Sequence, residues 1–198
     1  MIGKLVPFRR ARAPVTSDIS DEALLAACAT GDTAALGVLF DRHRDHVHRF
    51  LARLCFRDPR DLEDLLQATF LEAQRGAGRF GGRSSVRTWL MAVAANLARH
   101  HIRAESRRRA AMERLGVIPW SGNDTPYDAA ERRQDSLRLA SALAALTEPL
   151  RVPFVMCDLE GVAIEQAAQA LGLQMGTLWR RLHEARKRLR HAIEEEQP

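Results

Sequence analysis

The 198-residue chain has no uninterrupted apolar stretch approaching 18 residues, so nothing in its pattern predicts a membrane-spanning helix or direct membrane insertion. It has no C-x-x-C pair. Its three cysteines, Cys28, Cys55 and Cys157, are odd in number and widely spread. Thiolate-held zinc and a secreted disulfide framework therefore lack support, and a reducing, cytoplasmic setting is expected. The basic segment 1–12 is followed by no apolar core of the kind a signal peptide needs. Aromatic residues make up 6% of the chain, too few for broad stacking of single-stranded nucleic acid. No G-x-x-x-x-G-K-[ST] loop, G-x-G-x-x-G loop, nucleophile elbow or H-E-x-x-H frame occurs. The expectation is a protein without catalytic residues, cofactor or metal.

What is present is charge and helical periodicity. Lys and Arg number 30 against 25 Asp and Glu, a net charge of +5 with a pI near 9.8, which makes a polyanion the first partner to consider. Two segments concentrate the cations. Arg99, Arg103, Arg107, Arg108, Arg109 and Arg114 form one; Arg180, Arg181, Arg186, Lys187, Arg188 and Arg190 form the other. Each closes a helical pattern, where cations also complement the helix dipole. Two such runs, each beside a plausible reading element, favour phosphate-binding surfaces.

Leu, Ala, Arg and Glu dominate the long segments, while Gly and Pro cluster between them, so the fold class is all-α. Asp18 or Ser20 can cap a first helix ending before Gly31. Asp32 can cap a second, with an inward stripe of Leu36, Leu39, Phe40, Val47, Phe50, Leu51 and Leu54. A third starts near Pro59 and carries Leu62, Leu66, Phe70 and Ala73 inward. A fourth runs from Ser85 to about Arg109 on Trp89, Leu90, Val93 and Leu97. Gly, Pro, Asn and Asp then crowd residues 110–130, which read as a linker. Helical patterns resume with Leu137, Leu139, Leu143 and Leu146, then over 149–158, 164–171 and 175–193. Two small helical domains are expected, 18–108 and 131–193, joined by a flexible linker over 109–130, the second being the weaker unit.

The sharpest local signal lies in 161–190. A short helix with small Ala167 and Ala168, a turn at Gly172 and a helix with Leu178, Leu182, Ala185 and Leu189 inward have helix-turn-helix spacing. The second helix presents Gln174, Met175, Thr177, Trp179, Arg180 and Arg181 at the end that would enter a major groove, with Lys187 further along.

At these residues the chain resembles bacterial sigma factors of the extracytoplasmic-function group, the small class built from conserved regions 2 and 4. The stretch from Asp58 to Phe70, with Glu63-Asp64-Leu65 and Gln67-Ala68-Thr69-Phe70, resembles the family's core-binding helix. Trp89-Leu90 through Asn96 resembles its promoter-reading helix. Leu146-Thr147-Glu148-Pro149, Leu159-Glu160-Gly161, Leu171-Gly172, Gly176-Thr177-Leu178 and Ala185-Arg186 fall at the family's region 4 positions. The resemblance implies a factor that binds core RNA polymerase, through the β′ clamp helices and the β flap, and directs promoter-specific initiation. It implies reading of the −10 element by region 2 and of the −35 element by region 4. An anti-sigma factor is a further implied partner.

On this reading Asp61, Glu63, Asp64, Gln67 and Leu71 form the polymerase-docking set. Asp64, Gln67 and Leu71 fall at i, i+3 and i+7, away from Leu62, Leu66 and Phe70. Arg79, Arg83, Ser84, Trp89, Asn96, Arg99, Arg103 and Arg107 form the −10 set, the loop 79–84 resembling the one that receives a flipped base. Where the family commonly has Asp after Asn-Leu-Ala, this chain has His100-His101, and where Lys-Ser is common it has Trp179-Arg180; promoter preference does not transfer.

Two other readings compete. A helix-turn-helix regulator acting without polymerase accounts for 161–190 and leaves the docking helix without a use. A metal centre on His43, His46 and His48 has the wrong spacing, since H-x-x-H-x-H spreads the rings around a helix. The linker adds a geometric expectation. The resemblance implies two elements about 16 base pairs apart, which lie on the order of 55 Å from each other. A relaxed 22-residue linker averages about 26 Å and reaches about 75 Å when extended. The free protein is therefore expected to have loosely associated domains unless a partner or a domain contact holds them.

Overall fold

The computed structural model describes residues 19–54, 59–114 and 139–195, and among these residues the regular structure is entirely helical. Helix α1 spans Asp21–Ala29. Ser20 caps it by accepting from the Ala23 amide at 3.2 Å, and Asp21 and Glu22 complement its N-terminal dipole. Gly31, at φ 95°, turns the chain. Asp32 then accepts from the amides of Ala34 and Ala35 at 2.8 and 3.1 Å and starts α2, Thr33–Leu54.

Helix α3, Pro59–Gly76, passes through one 3-10 turn, Ala77–Arg79, into the loop before α4, Val86–Arg114. Ser85 caps α4, its hydroxyl accepting from the Thr88 amide at 3.1 Å. Helices α1 to α4 pack around Leu25, Leu39, Phe50, Leu51, Leu90 and Met91, all at most 2% exposed. A short helix α5 covers residues 139–145. Helix α6, Glu148–Phe154, widens into a π-helical turn, Val155–Leu159, just past Pro153, which has no amide proton to donate. Gly161, at φ 68°, ends that turn. Helix α7 is Ile164–Ala170 and α8 is Met175–Glu195.

Several inward stripes differ from expectation. On α4 the centre of the buried face is Leu90, Met91, Ala94, Ala95 and Ala98, whereas Trp89, Val93 and Leu97 lie at its edge, half-buried. The small alanines let α4 approach its neighbours closely, which a stripe counted on bulky residues does not reveal. Helix α4 also continues to Arg114, past residue 108. Leu65 and Thr69 join Leu66, Phe70 and Ala73 inside α3, while Leu62 is only half-buried. His43 occupies the core position between Leu39 and Val47, and Leu139 is 40% exposed. Cys157 is half-buried, Cys28 is buried, and Cys55, Leu137 and 115–138 lie outside the described residues.

The second half of the chain docks on the first. Helix α7 packs along α4, and the π turn packs against α2. Leu143, Leu146, Val155, Met156, Leu178 and Leu182 belong to the same contiguous core as α1 to α4. Polar contacts seal the seam. Glu160, whose side chain is 6% exposed, pairs with Arg53 of α2, and its carbonyl accepts from Arg87 of α4 at 3.2 Å. Arg99 of α4 pairs with Glu148 at 2.9 Å, Thr88 bonds Gln166 at 3.4 Å, and Arg151 donates to the Leu54 carbonyl at 3.0 Å. A domain contact thus holds the two halves together.

Candidate nucleic-acid interface

The docking set divides between two directions. On α3 the inward residues Leu66, Phe70 and Ala73 turn Asp64, Gln67 and Leu71 to solvent, and Leu71 is 50% exposed despite its apolar side chain. An exposed leucine framed by a carboxylate and an amide suits a protein partner. Glu63 is exposed and lies 3.9 Å from His48. Asp61 turns towards α4, where its carboxylate meets His101 at 3.2 Å.

The −10 set occupies the loop after α3 and one side of α4. Arg79 and Arg83 are exposed, Ser84 is half-buried, and Gly82 at φ 66° lets the loop double back before the Ser85 cap. Trp89 is anchored, its ring edge-to-face with Phe80 at 5.5 Å between centroids and lying where a side chain at position 76 would begin, 3.5 Å from a Cβ placed on Gly76. Trp89 as a whole is half-buried. Further along α4, Asn96, Arg103 and Arg107 are exposed. Arg99 differs from them because Glu148 holds it across the seam.

The helix-turn-helix is built as its spacing demands. Gly172, at φ 64°, closes the turn while the Leu173 amide donates back to the Ala168 carbonyl at 2.8 Å. The Gln174 carbonyl accepts the first amides of α8. Leu178, Leu182, Ala185 and Leu189 face the core and fix the rotation of α8, so Gln174, Met175, Trp179, Arg180 and Lys187 face outward, with Thr177 half-buried. Arg181 is also half-buried. It joins Arg99 and Arg103 in lining a crevice of about 200 Å³ between α4, α6 and α8.

The arginines of α8 are not equivalent. Arg186 grips Asp158 with two bonds of 2.8 and 2.6 Å, and this carboxylate pushes the Arg186 guanidinium pKa up. Arg188 pairs with Glu184 one turn away at 2.7 Å. Among the described residues, Arg180, Lys187 and Arg190 have no ion pair and are free for phosphates. Cys157, beside Asp158, has its thiol pushed up to about 11, first by burial and then by the carboxylates of Asp158 and Glu165. It is therefore a protonated packing residue rather than a nucleophile.

The three α2 histidines have separate partners. His43 bonds Asp21 at 2.7 Å, His46 bonds Arg49 at 2.9 Å, and His48 faces Glu63. Burial and the Arg87 and Arg49 charges lower the His46 pKa. Among the described residues no group of three His, Cys, Asp or Glu side chains is placed to hold a metal ion. Sequence reasoning missed the seam residues Arg53, Arg87, Glu148, Glu160 and Gln166. Periodicity on one helix contains no signal for which polar residue of another will face it.

Comparison with known proteins places this architecture. Residues 39–108 match the family description Sigma-70 region 2, and residues 136–189 match Sigma-70, region 4. The chain is 34% identical to the ECF RNA polymerase sigma factor SigM of Mycobacterium tuberculosis, over 86% of this chain and 83% of that protein. It is 36% identical to the RNA polymerase sigma factor CarQ of Myxococcus xanthus, over 79% and 88%. Among solved structures, CnrH in complex with the cytosolic domain of CnrY aligns with a TM-score of 0.65 at 25% identity, covering 90% of this chain and 99% of that one. The sigma factor RpoE of Bartonella quintana shares the fold, with a TM-score of 0.61 at 22% identity over 80% and 96%.

Proposed function

The chain belongs to the extracytoplasmic-function group of the sigma-70 family, and from that premise we propose how its surfaces divide the work of promoter-specific initiation. It is a sigma factor: it binds core RNA polymerase and directs transcription from promoters. It works through binding and positioning, while the polymerase supplies the chemistry. No described helix is long and apolar enough to cross a membrane, and we place the protein's action in the cytoplasm, where the polymerase and the promoter are. CnrH is solved with the cytosolic domain of CnrY, which supports an anti-sigma protein as a further partner.

The residue assignments are ours. Asp64, Gln67 and Leu71, with Glu63 and Asp61 beside them, meet the β′ clamp helices. The loop with Arg79, Arg83 and Ser84, together with Trp89, Asn96, Arg103 and Arg107, meets the −10 element, and Arg99 joins them once Glu148 releases it. Gln174, Met175, Thr177, Trp179, Arg180, Arg181 and Lys187 meet the −35 element, and region 4 also contacts the β flap. The working units are 18–108, which α4 extends to Arg114, and 131–193, and the linker between them lets the seam open when both elements are read.

The observation that carries this reading is the exposed Asp64, Gln67 and Leu71 face of α3 on a chain that also holds a helix-turn-helix. A duplex-binding regulator has no use for that face. The combined change Asp64→Arg with Gln67→Ala should abolish co-elution with core polymerase and promoter-dependent initiation. The thermal midpoint should hold, because both side chains face solvent. Wild-type co-elution by the double variant would refute the docking assignment.

A further inference from the structure

The end of α8 that enters the groove carries an apolar pair where a reader of phosphates and guanines alone would carry none. Trp179 is 50% exposed and Met175 is 38% exposed. They stand at i and i+4, on one face of the helix. Leu178 and Leu182, both fully buried, lock the rotation that turns this face outward. Arg180 lies exposed next to it, and Lys187 lies exposed about two turns further along, both without ion pairs among the described residues. An apolar surface bordered by free cations matches a polyanion that offers an apolar group at the bottom of its groove. Duplex DNA offers one such group in the major groove, the C5-methyl of thymine.

We propose that Met175 and Trp179 form an apolar reader of thymine methyl groups, giving this protein an upstream element in which at least one thymine is recognised through its methyl. The inference rests on the reading of α8 as the −35 helix. The flat indole and flexible thioether can close over a methyl and exclude water, while Arg180, next to them, and Lys187, about two turns on, hold the DNA backbone.

The test uses the full chain bound to core polymerase and a pool of duplexes randomised over about ten upstream base pairs. Enriched duplexes should contain a thymine whose replacement by deoxyuridine, which removes only the methyl, weakens binding about three- to five-fold, the size expected for one buried methyl. Trp179→Ala should lose a similar factor on the thymine duplex, and deoxyuridine should then add nothing further, because the two changes remove one contact. Met175→Ala should show a smaller version of the same pattern. An unchanged thermal midpoint would confirm that both variants remain folded.

Equal binding of thymine and deoxyuridine duplexes would overturn the proposal, as would independent, multiplying losses or an element without thymine. If Trp179→Ala lowers initiation while duplex affinity is unchanged, the pair faces protein and the proposal is likewise overturned. If no upstream sequence is enriched, the −35 reading of α8 falls, and this inference falls with it.

Discussion

Helices α4 and α8 look alike in composition, each an amphipathic helix with an arginine run, yet the structure uses them in opposite ways. On α8 the free cations begin near its N-terminal end, while Arg186 and Arg188 further along are held by Asp158 and Glu184. On α4 the N-terminal half buries one face, with Leu90, Met91, Ala94 and Ala98 at most 1% exposed, and the exposed arginines follow beyond it. The N-terminal end of α8 thus carries free cations, whereas the N-terminal half of α4 buries one face and leaves Asn96 exposed on the other. An arginine run therefore locates a surface only after the ion pairs are known.

The largest expected effect breaks the comparison at the anchors. Leu182→Ala on α8 removes a fully buried side chain and should cost about 2–5 kcal/mol. Ala94→Leu on α4 adds volume to a position with no exposure and should cost about 1–3 kcal/mol by overpacking. Urea titrations compare them; a mild Ala94→Leu would mean that α4 is packed no more tightly than α8.

Glu160→Ala is next. It strands Arg53 at the seam and should lower stability by about 1–3 kcal/mol, with a larger radius in small-angle scattering as the halves separate. An unchanged radius and stability would show that apolar packing alone holds the seam. Two neighbouring cations of α8 sharpen the contrast further. Lys187→Ala should reduce the salt slope of duplex binding by about one and weaken all sequences alike. Arg186→Ala should leave the slope unchanged and cost about 1 kcal/mol of stability, since the Arg186 side chain is 44% exposed and Asp158 only 22%.

The smallest effect is a pH dependence at the start of α1. Burial alone would push the Asp21 carboxyl up, but the hydrogen bond from Arg42 and the charge and hydrogen bond of His43 together hold it below its ordinary 3.8. Because the folded-state value is the lower one, its contribution to stability is present above pH 3.8 and fades as the pH falls through the folded-state value. Asp21→Asn should remove that part of the acid sensitivity in melts between pH 5 and 3.

Much of the architecture is legible in the chain because it depends on local chemistry. Ser20 and Asp32 cap the helices their positions suggest, and Gly31 and Gly172 take the positive φ that their turns require. The inward leucines of α8 follow from spacing alone. Where the reading slipped, small or polar residues occupied core positions. Ala94 and Ala98 fill core positions where spacing points to Trp89 and Val93, and His43 sits in the core because Asp21 satisfies its Nε2.

The sequence by itself determined the helices, their caps, the helix-turn-helix and the exposed Asp64, Gln67 and Leu71 face, because each depends on residues within a few positions of one another. Tertiary structure alone decided which arginines remain free and how the two halves meet. Arg99 finds Glu148 across 49 positions and Arg53 finds Glu160 across 107. Such pairings depend on where separate helices come to rest when their apolar faces are buried together, and no periodicity within one helix encodes them.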